Sequence, residues 1–216
     1  MLEALGVKID CGPDAVAECI ENAHIGFMFA PMYHPAMKFV QPIRKSLEFC
    51  TAFNILGPLA NPALANAQVM GVPDESLLDK IAETFKILGT KRAMIVHSNG
   101  LDEISTTSTT KVVELKGKEK TSYKIKPGDF GISSPKMEEL AGGDAEHNAR
   151  LITDVLDGKN KGPARDIILL NAAAAIMVAG LADDLNAGFQ KAAESIDSKA
   201  AAGCLKKLIE LSNRKR

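Results

Sequence analysis

Asp102 and Glu103 stand side by side in "NGLDEIS", residues 99–105, directly after the apolar run "RAMIVHS", 92–98. Open α/β sheets bind ligands beyond the carboxyl ends of their strands. Two hard oxygen donors at such a place suit Mg²⁺ shared with a polyphosphate; a solvated loop dipeptide is the alternative. A second stretch, "PMYHPAMKFVQPIRK", residues 31–45, reads as a helix with Pro35 at its first position, where a missing N–H costs nothing. His34, Met37, Gln41 and Arg44 then share one face, and Ala36, Val40, Ile43 and Leu47 share another. Pro42 removes a hydrogen bond and kinks that helix. A planar guanidinium, an adaptable thioether and a switchable imidazole suit a flat, apolar anion. A solvated polar face with a capping histidine is the competing reading.

Two further stretches are less committal. "TAFNILGPLANPA", 51–63, has three breakers, Gly57, Pro58 and Pro62, in a segment too apolar for a solvent loop. It is either a buried Gly-Pro turn where backbone comes close to a ligand or a tight packing corner. "GGDAEHNA", 142–149, opens a helix with Asp144 as N-cap, and capping alone accounts for it. His97 reads as a packed strand residue rather than a base. No phosphate-binding Walker loop, dinucleotide fingerprint, HExxH or nucleophile elbow occurs.

The elements that must carry these residues are legible from period. "AQVMGV", 67–72, and "RAMIVHS" are apolar runs flanking a segment in which Leu77, Ile81, Phe85 and Leu88 recur at helical spacing. That is the parallel strand–helix–strand pattern. "KVVELKG" and "TSYKIK" predict an antiparallel hairpin, and four helices follow over 144–157, 163–181, 183–196 and 198–212. Earlier, "LEALGVKI" reads as the end of a helix closing at Gly6, and Pro13 onward as a short helix with Ala15, Cys19 and Ile20 on one face. "IGFMFA" reads as a buried strand of a parallel sheet. The class is α/β, one domain over 1–216, with a mostly parallel sheet flanked by helices.

Composition narrows the partners. The formal net charge of −1 gives no basic field for nucleic acid or anionic membrane, and the absence of Trp weakens base stacking. The apolar run Ile167–Ala182 has sixteen residues and is interrupted by Asn171, short of the ~20 that span a bilayer. It predicts a buried helix. The four cysteines lack metal-ligand spacing and read as free thiols of a reducing compartment. With no signal peptide expected from the first twenty residues, the chain reads as soluble and cytoplasmic.

Taken in order, "FMFAPMYHPAMK", "FNILGPLANPA", "GLDEIS", "GDFGI", "GGDAEHNA" and "LNAAAAI" resemble the anthranilate phosphoribosyltransferase family, from about Leu2 to the end. The resemblance implies a nucleoside-phosphorylase-like phosphoribosyltransferase fold, incomplete at the N-terminus. It implies transfer of the phosphoribosyl group from phosphoribosyl pyrophosphate to anthranilate, in tryptophan biosynthesis. Mg²⁺ would be held at Asp102 and Glu103. Anthranilate would be lined by His34, Met37 and Arg44, with Arg44 toward the carboxylate, and by Gly57 and Pro58 beside the ring. No strong base is required, because positioning and metal neutralisation of the leaving pyrophosphate carry the reaction.

The family's G-T-G-G-D loop, its K-H-G-N segment, its serine-rich phosphate-binding stretch and its dimerising helices are absent. Cys50 stands where many members carry a basic residue. Competing readings are a nucleic-acid-binding relative of the same fold, a pyrimidine-nucleoside phosphorylase relative, and a subunit whose phosphate loop comes from another chain. The purified 216-residue chain is therefore expected to turn over anthranilate negligibly and to self-associate through exposed apolar surface. Family-like steady-state rates, or a clean monomer by light scattering that binds no hydrophobic dye, would count against these two expectations.

Overall fold

The computed structural model describes residues 1–34 and 53–214. In chain order its helices are α1 (Pro13–Ala23), the single turn α2 (Ala30–Tyr33), α3 (Phe53–Leu59), α4 (Leu78–Ile87), α5 (Ala145–Leu156), α6 (Pro163–Val178), α7 (Leu185–Asp197) and α8 (Ala200–Ser212). The strands are β1 (Ala67–Gly71), β2 (Arg92–His97), β3 (Thr110–Lys116) and β4 (Glu119–Ile125). The helix expected from Pro35, with Met37 and Arg44, lies outside the described residues, as does Cys50. The segments collect into two compact units.

The unit built from Leu64–Ala141 and Gly158–Ser198 holds the sheet, in the order β1-β2-β3-β4. β1 and β2 are parallel, joined by α4, as the sequence pattern requires. β2–β3 and β3–β4 are antiparallel, so the described sheet is mixed and its parallel character rests on β1–β2. The short charged turn at Gly117 is what permits the antiparallel hairpin; a parallel return needs a longer crossover.

β2 is buried on both faces. Met94 and Val96 join Ile104, Val112 and Ile125 in a core closed by Leu170, Ala174, Met177 and Val178 of α6. Ala93 and Ile95 alternate to the other face and are also fully buried. There α4, whose Leu78, Ile81 and Phe85 are buried, contacts β2 and β3. α6 is the buried helix expected from its alanine-rich run, and no described helix is long and apolar enough to cross a membrane. Its small residues let α7 come close: a Cβ placed on Gly188 would fall 2.6 Å from the Ala173 carbonyl oxygen.

The other unit comprises Met1–Ala63, Gly142–Asp157 and Lys199–Arg216. Residues 2–6 form one turn that closes at Gly6 (φ +89°). Val7, Cys19, Ala23, Leu208 and Leu211 make the core between α1 and α8. The Ser212 hydroxyl accepts from the Lys8 N–H at 3.2 Å, which ties the amino-terminal segment to the end of α8. The buried face of α1 is Val16, Cys19 and Ala23, one step from the face expected, and Ile20 is 42% exposed. Ile20 lies over Gly26, whose missing side chain makes room for it.

"IGFMFA" is not a strand. It runs irregularly, with Ile25 exposed and the Phe27 and Phe29 rings stacked 6.4 Å apart. An extended run becomes a strand only when a neighbour takes its backbone hydrogen bonds, and no described strand pairs with it. Cys11 and Cys204 are free thiols, as expected.

The same substitution should have opposite signs at two helical glycines. Gly188→Ala is expected to lower stability by about 1–3 kcal/mol, because the added methyl meets α6 backbone. Gly203→Ala, in α8 with nothing within 4 Å of the new methyl, should raise it by about 0.5–1 kcal/mol. Urea unfolding of the two variants checks both signs.

Candidate functional site

The Asp102–Glu103 pair is delivered by a corner at the end of β2. Ser98 and Leu101 exchange both backbone hydrogen bonds, at 3.0 and 2.7 Å, around Asn99 (φ 44°) and Gly100 (φ 86°). Two central residues with positive φ define the tight primed turn that Asn-Gly favours. The turn reverses the chain within two residues and brings Asp102 against the last residue of β1. A Cβ on Gly71 would fall 1.5 Å from the Asp102 carbonyl oxygen, so the approach exists only because Gly71 has no side chain.

Immediately after the acids the chain dives into the core. Ile104 is fully buried among Met94, Val96 and Leu170. Its peptide is held from α6: the Ile104 N–H donates to Asn171 Oδ1 at 3.0 Å, and Asn171 Nδ2 donates to the Ile104 carbonyl at 2.8 Å. The same amide nitrogen also donates to the Ile167 carbonyl at 3.0 Å, which fixes the side chain to its own helix.

The run "STTSTT" that follows is ordered by its hydroxyls. Ser105 N–H donates to Thr110 Oγ1 at 3.0 Å, and Thr107 N–H donates to Ser105 Oγ at 3.0 Å. Ser98 Oγ lies 2.8 Å from Ser108 Oγ, closing the loop back onto the turn. His97, at the strand end, donates from Nδ1 to the Val72 carbonyl at 2.9 Å, a packed strand residue as its position suggested.

Both carboxylates are solvent-accessible. Partial burial, and then the adjacent Asp102 charge, raises the Glu103 pKa above its ordinary value. A carboxylate whose ionisation is disfavoured beside a second carboxylate is a donor that a divalent cation would relieve. Among the described residues no group of three or more His, Cys, Asp or Glu could hold a metal. Two exposed adjacent carboxylates are a donor set that could serve an ion such as Mg²⁺, which is commonly bound by one or two carboxylates with water and substrate phosphates.

Of the expected anthranilate-side residues, the described ones, His34, Gly57 and Pro58, belong to the other unit. His34 closes the α2 turn, half-buried, with its N–H donating to the Ala30 carbonyl at 2.9 Å. The neighbouring Tyr33 hydroxyl donates to the Cys11 carbonyl at 3.2 Å, and burial raises its pKa. Gly57 and Pro58 sit in α3 rather than in a buried Gly-Pro turn. Gly57 is exposed and a Cβ there would meet nothing within 4 Å, so its backbone makes no close approach among the described residues. A proline in the final turn of a helix this short interrupts few hydrogen bonds, which is why the segment remains helical. Met37 and Arg44 lie outside the described residues.

At α5 capping suffices, as the sequence indicated. Asp144 accepts from the His147 N–H at 2.7 Å, and Asn148 Oδ1 accepts from the Gly143 N–H at 2.9 Å. Gly71 and Asn171 were missed as functional residues by sequence reasoning. For Asn171 the signal was an amide interrupting the apolar run 167–182; a glycine at the end of a strand, like Gly71, carries no such mark.

Comparison with known proteins agrees with this architecture. Residues 1–202 match the family described as "Glycosyl transferase family, a/b domain". Anthranilate phosphoribosyltransferase of Methanocorpusculum labreanum is 48% identical over 215 residues, covering 100% of this chain and 63% of the relative. That of Rubrobacter xylanophilus is 46% identical, covering 99% and 63%. The chain thus spans about 63% of the length of these curated relatives. The crystal structure of anthranilate phosphoribosyltransferase from Thermus thermophilus superposes with a TM-score of 0.92 at 38% identity, covering 99% of this chain and 63% of that one. The Saccharomyces cerevisiae enzyme in complex with PRPP and Mg gives a TM-score of 0.88 at 28% identity, covering 98% and 61%. With the α/β fold and a family match over residues 1–202 in agreement, the chain belongs to the glycosyl transferase family through its a/b domain.

Proposed function

We propose that the chain serves phosphoribosyl transfer from phosphoribosyl pyrophosphate to anthranilate, giving N-(5-phosphoribosyl)anthranilate and pyrophosphate in tryptophan biosynthesis. The observation that carries this reading is the 48% identity over 215 residues to an anthranilate phosphoribosyltransferase, together with the acid pair at the end of β2. A yeast relative solved with PRPP and Mg and another with 4-fluoroanthranilate support the substrate classes. The setting proposed is cytoplasmic, with no nucleic-acid or membrane partner, in a homodimeric family.

In this reading Asp102 and Glu103 would hold Mg²⁺ against the pyrophosphate of the donor. Bound there, the ion neutralises charge that develops on the leaving group. The chain's own part is to hold two carboxylates where their repulsion is offset by a cation, on a corner too tightly packed to relax. His34, Met37, Arg44, Gly57 and Pro58 would contact anthranilate, with the Arg44 guanidinium facing its carboxylate. The acceptor is an aromatic amine, already a usable nucleophile, so orientation rather than a strong base is what the acceptor residues supply.

Anthranilate binding, followed by its own fluorescence, tests the acceptor side. Arg44→Ala is expected to weaken binding about 10-fold or more, since a hydrogen bond to a charged group is worth about 1.5–3 kcal/mol. No anthranilate binding by the unaltered chain, with salt-dependent DNA binding or nucleoside binding in its place, would overturn the reading. On the donor side, Glu103→Gln should hold or raise the melting temperature while abolishing stabilisation by Mg²⁺ with phosphoribosyl pyrophosphate, because its charge is disfavoured in the fold.

A further inference from the structure

We propose that Asn171 is the positioning residue of the acid corner: its carboxamide brackets the Ile104 peptide and so fixes where Asp102 and Glu103 point. The inference rests on the metal reading above and adds to it a residue remote in sequence that touches neither ion nor substrate. Asn171 reaches across 67 positions to hold both polar groups of one residue, the N–H at 3.0 Å and the carbonyl at 2.8 Å. Only a side-chain amide offers a donor and an acceptor in that fork.

Three features say that the clamp serves the corner rather than the helix. α6 is otherwise apolar where it meets the sheet, with Leu170, Ala174, Met177 and Val178 buried in the shared core, so an amide beside them is costly unless it is bonded. Its Nδ2 bond to Ile167, one turn back, sets the orientation of the amide toward Ile104 and leaves Oδ1 no choice but the Ile104 N–H. And the peptide it grips adjoins Glu103 directly. Upstream, the corner is bounded by the Asn99–Gly100 turn and by Gly71, where the Asp102 carbonyl leaves no room for a methyl. Asp102–Glu103 is therefore held from both ends: by steric fit against β1 before it, and by Asn171 after it.

Adjacent carboxylates repel, and a loop free to rotate would splay them apart. The clamp removes that freedom before any cation arrives. Groups that orient metal ligands in this way typically contribute ~10–100-fold to metal affinity.

The test uses the 216-residue chain and calorimetric titration with Mn²⁺, alone and with inorganic pyrophosphate. Asn171→Ala is expected to weaken Mn²⁺ uptake about 10-fold or more. It should also speed hydrogen exchange at the amides of 103 and 104 more than in the rest of the sheet unit. Gly71→Ala, which displaces the same corner from the β1 side, should weaken Mn²⁺ in parallel. Gly188→Ala is the control: it disturbs α6–α7 packing without touching the corner, and its Mn²⁺ affinity should be unchanged. If Asn171→Ala binds Mn²⁺ like the unaltered chain, or if Gly188→Ala loses affinity to the same extent, the positioning role is overturned while the metal reading stands. If the unaltered chain takes up no Mn²⁺ that Asp102→Asn abolishes, the metal reading itself fails, and the inference fails with it.

Discussion

The site depends on one constraint: two neighbouring carboxylates must be kept together at the surface by a backbone that cannot move apart. Charge repulsion works against that arrangement, and solvent screening only weakens the repulsion. What opposes it is burial on either side. Ile104 is sunk into the core shared by β2, β3 and α6, and its peptide is bonded to Asn171. Burying one such side chain is worth about 1.5–3 kcal/mol.

The sheet and its helices follow from that requirement. β2 is buried on both faces, so its end is rigid, and the primed turn at Asn99–Gly100 passes that rigidity on to the acids within two residues. α6 must be apolar enough to pack on β1 and β2, yet carry one amide at the level of the corner. Its alanines serve a second purpose, since the close seat of α7 at Gly188 needs small neighbours. The helix is thus both a wall of the core and the platform for the clamp.

Much of the fold was legible because its signals are local. Helical period marked α4 between the two apolar runs that became β1 and β2, and the charged turn marked the β3–β4 hairpin. The four late helices are found within a few residues of where hydrophobic spacing put them. "IGFMFA" misled because a purely apolar run carries no period of its own, and only a partner strand decides whether it pairs. Gly57 and Pro58 misled in the other direction. Breaker residues argue against helix, but near a helix end they cost little, and α3 contains both.

The sequence by itself determined the α/β class, the strand–helix–strand unit, the hairpin and the presence of an acid pair at a strand's end. Hydrophobic period, turn residues and short-range spacing carry all of these. Only the tertiary structure decided that the pair is held by Gly71 from one side and Asn171 from the other. Both contacts join residues far apart in the chain, 31 positions from Gly71 to Asp102 and 67 from Ile104 to Asn171, and no local pattern encodes them. A glycine reads as a turn former and an asparagine as an interruption until packing brings each to the backbone it serves.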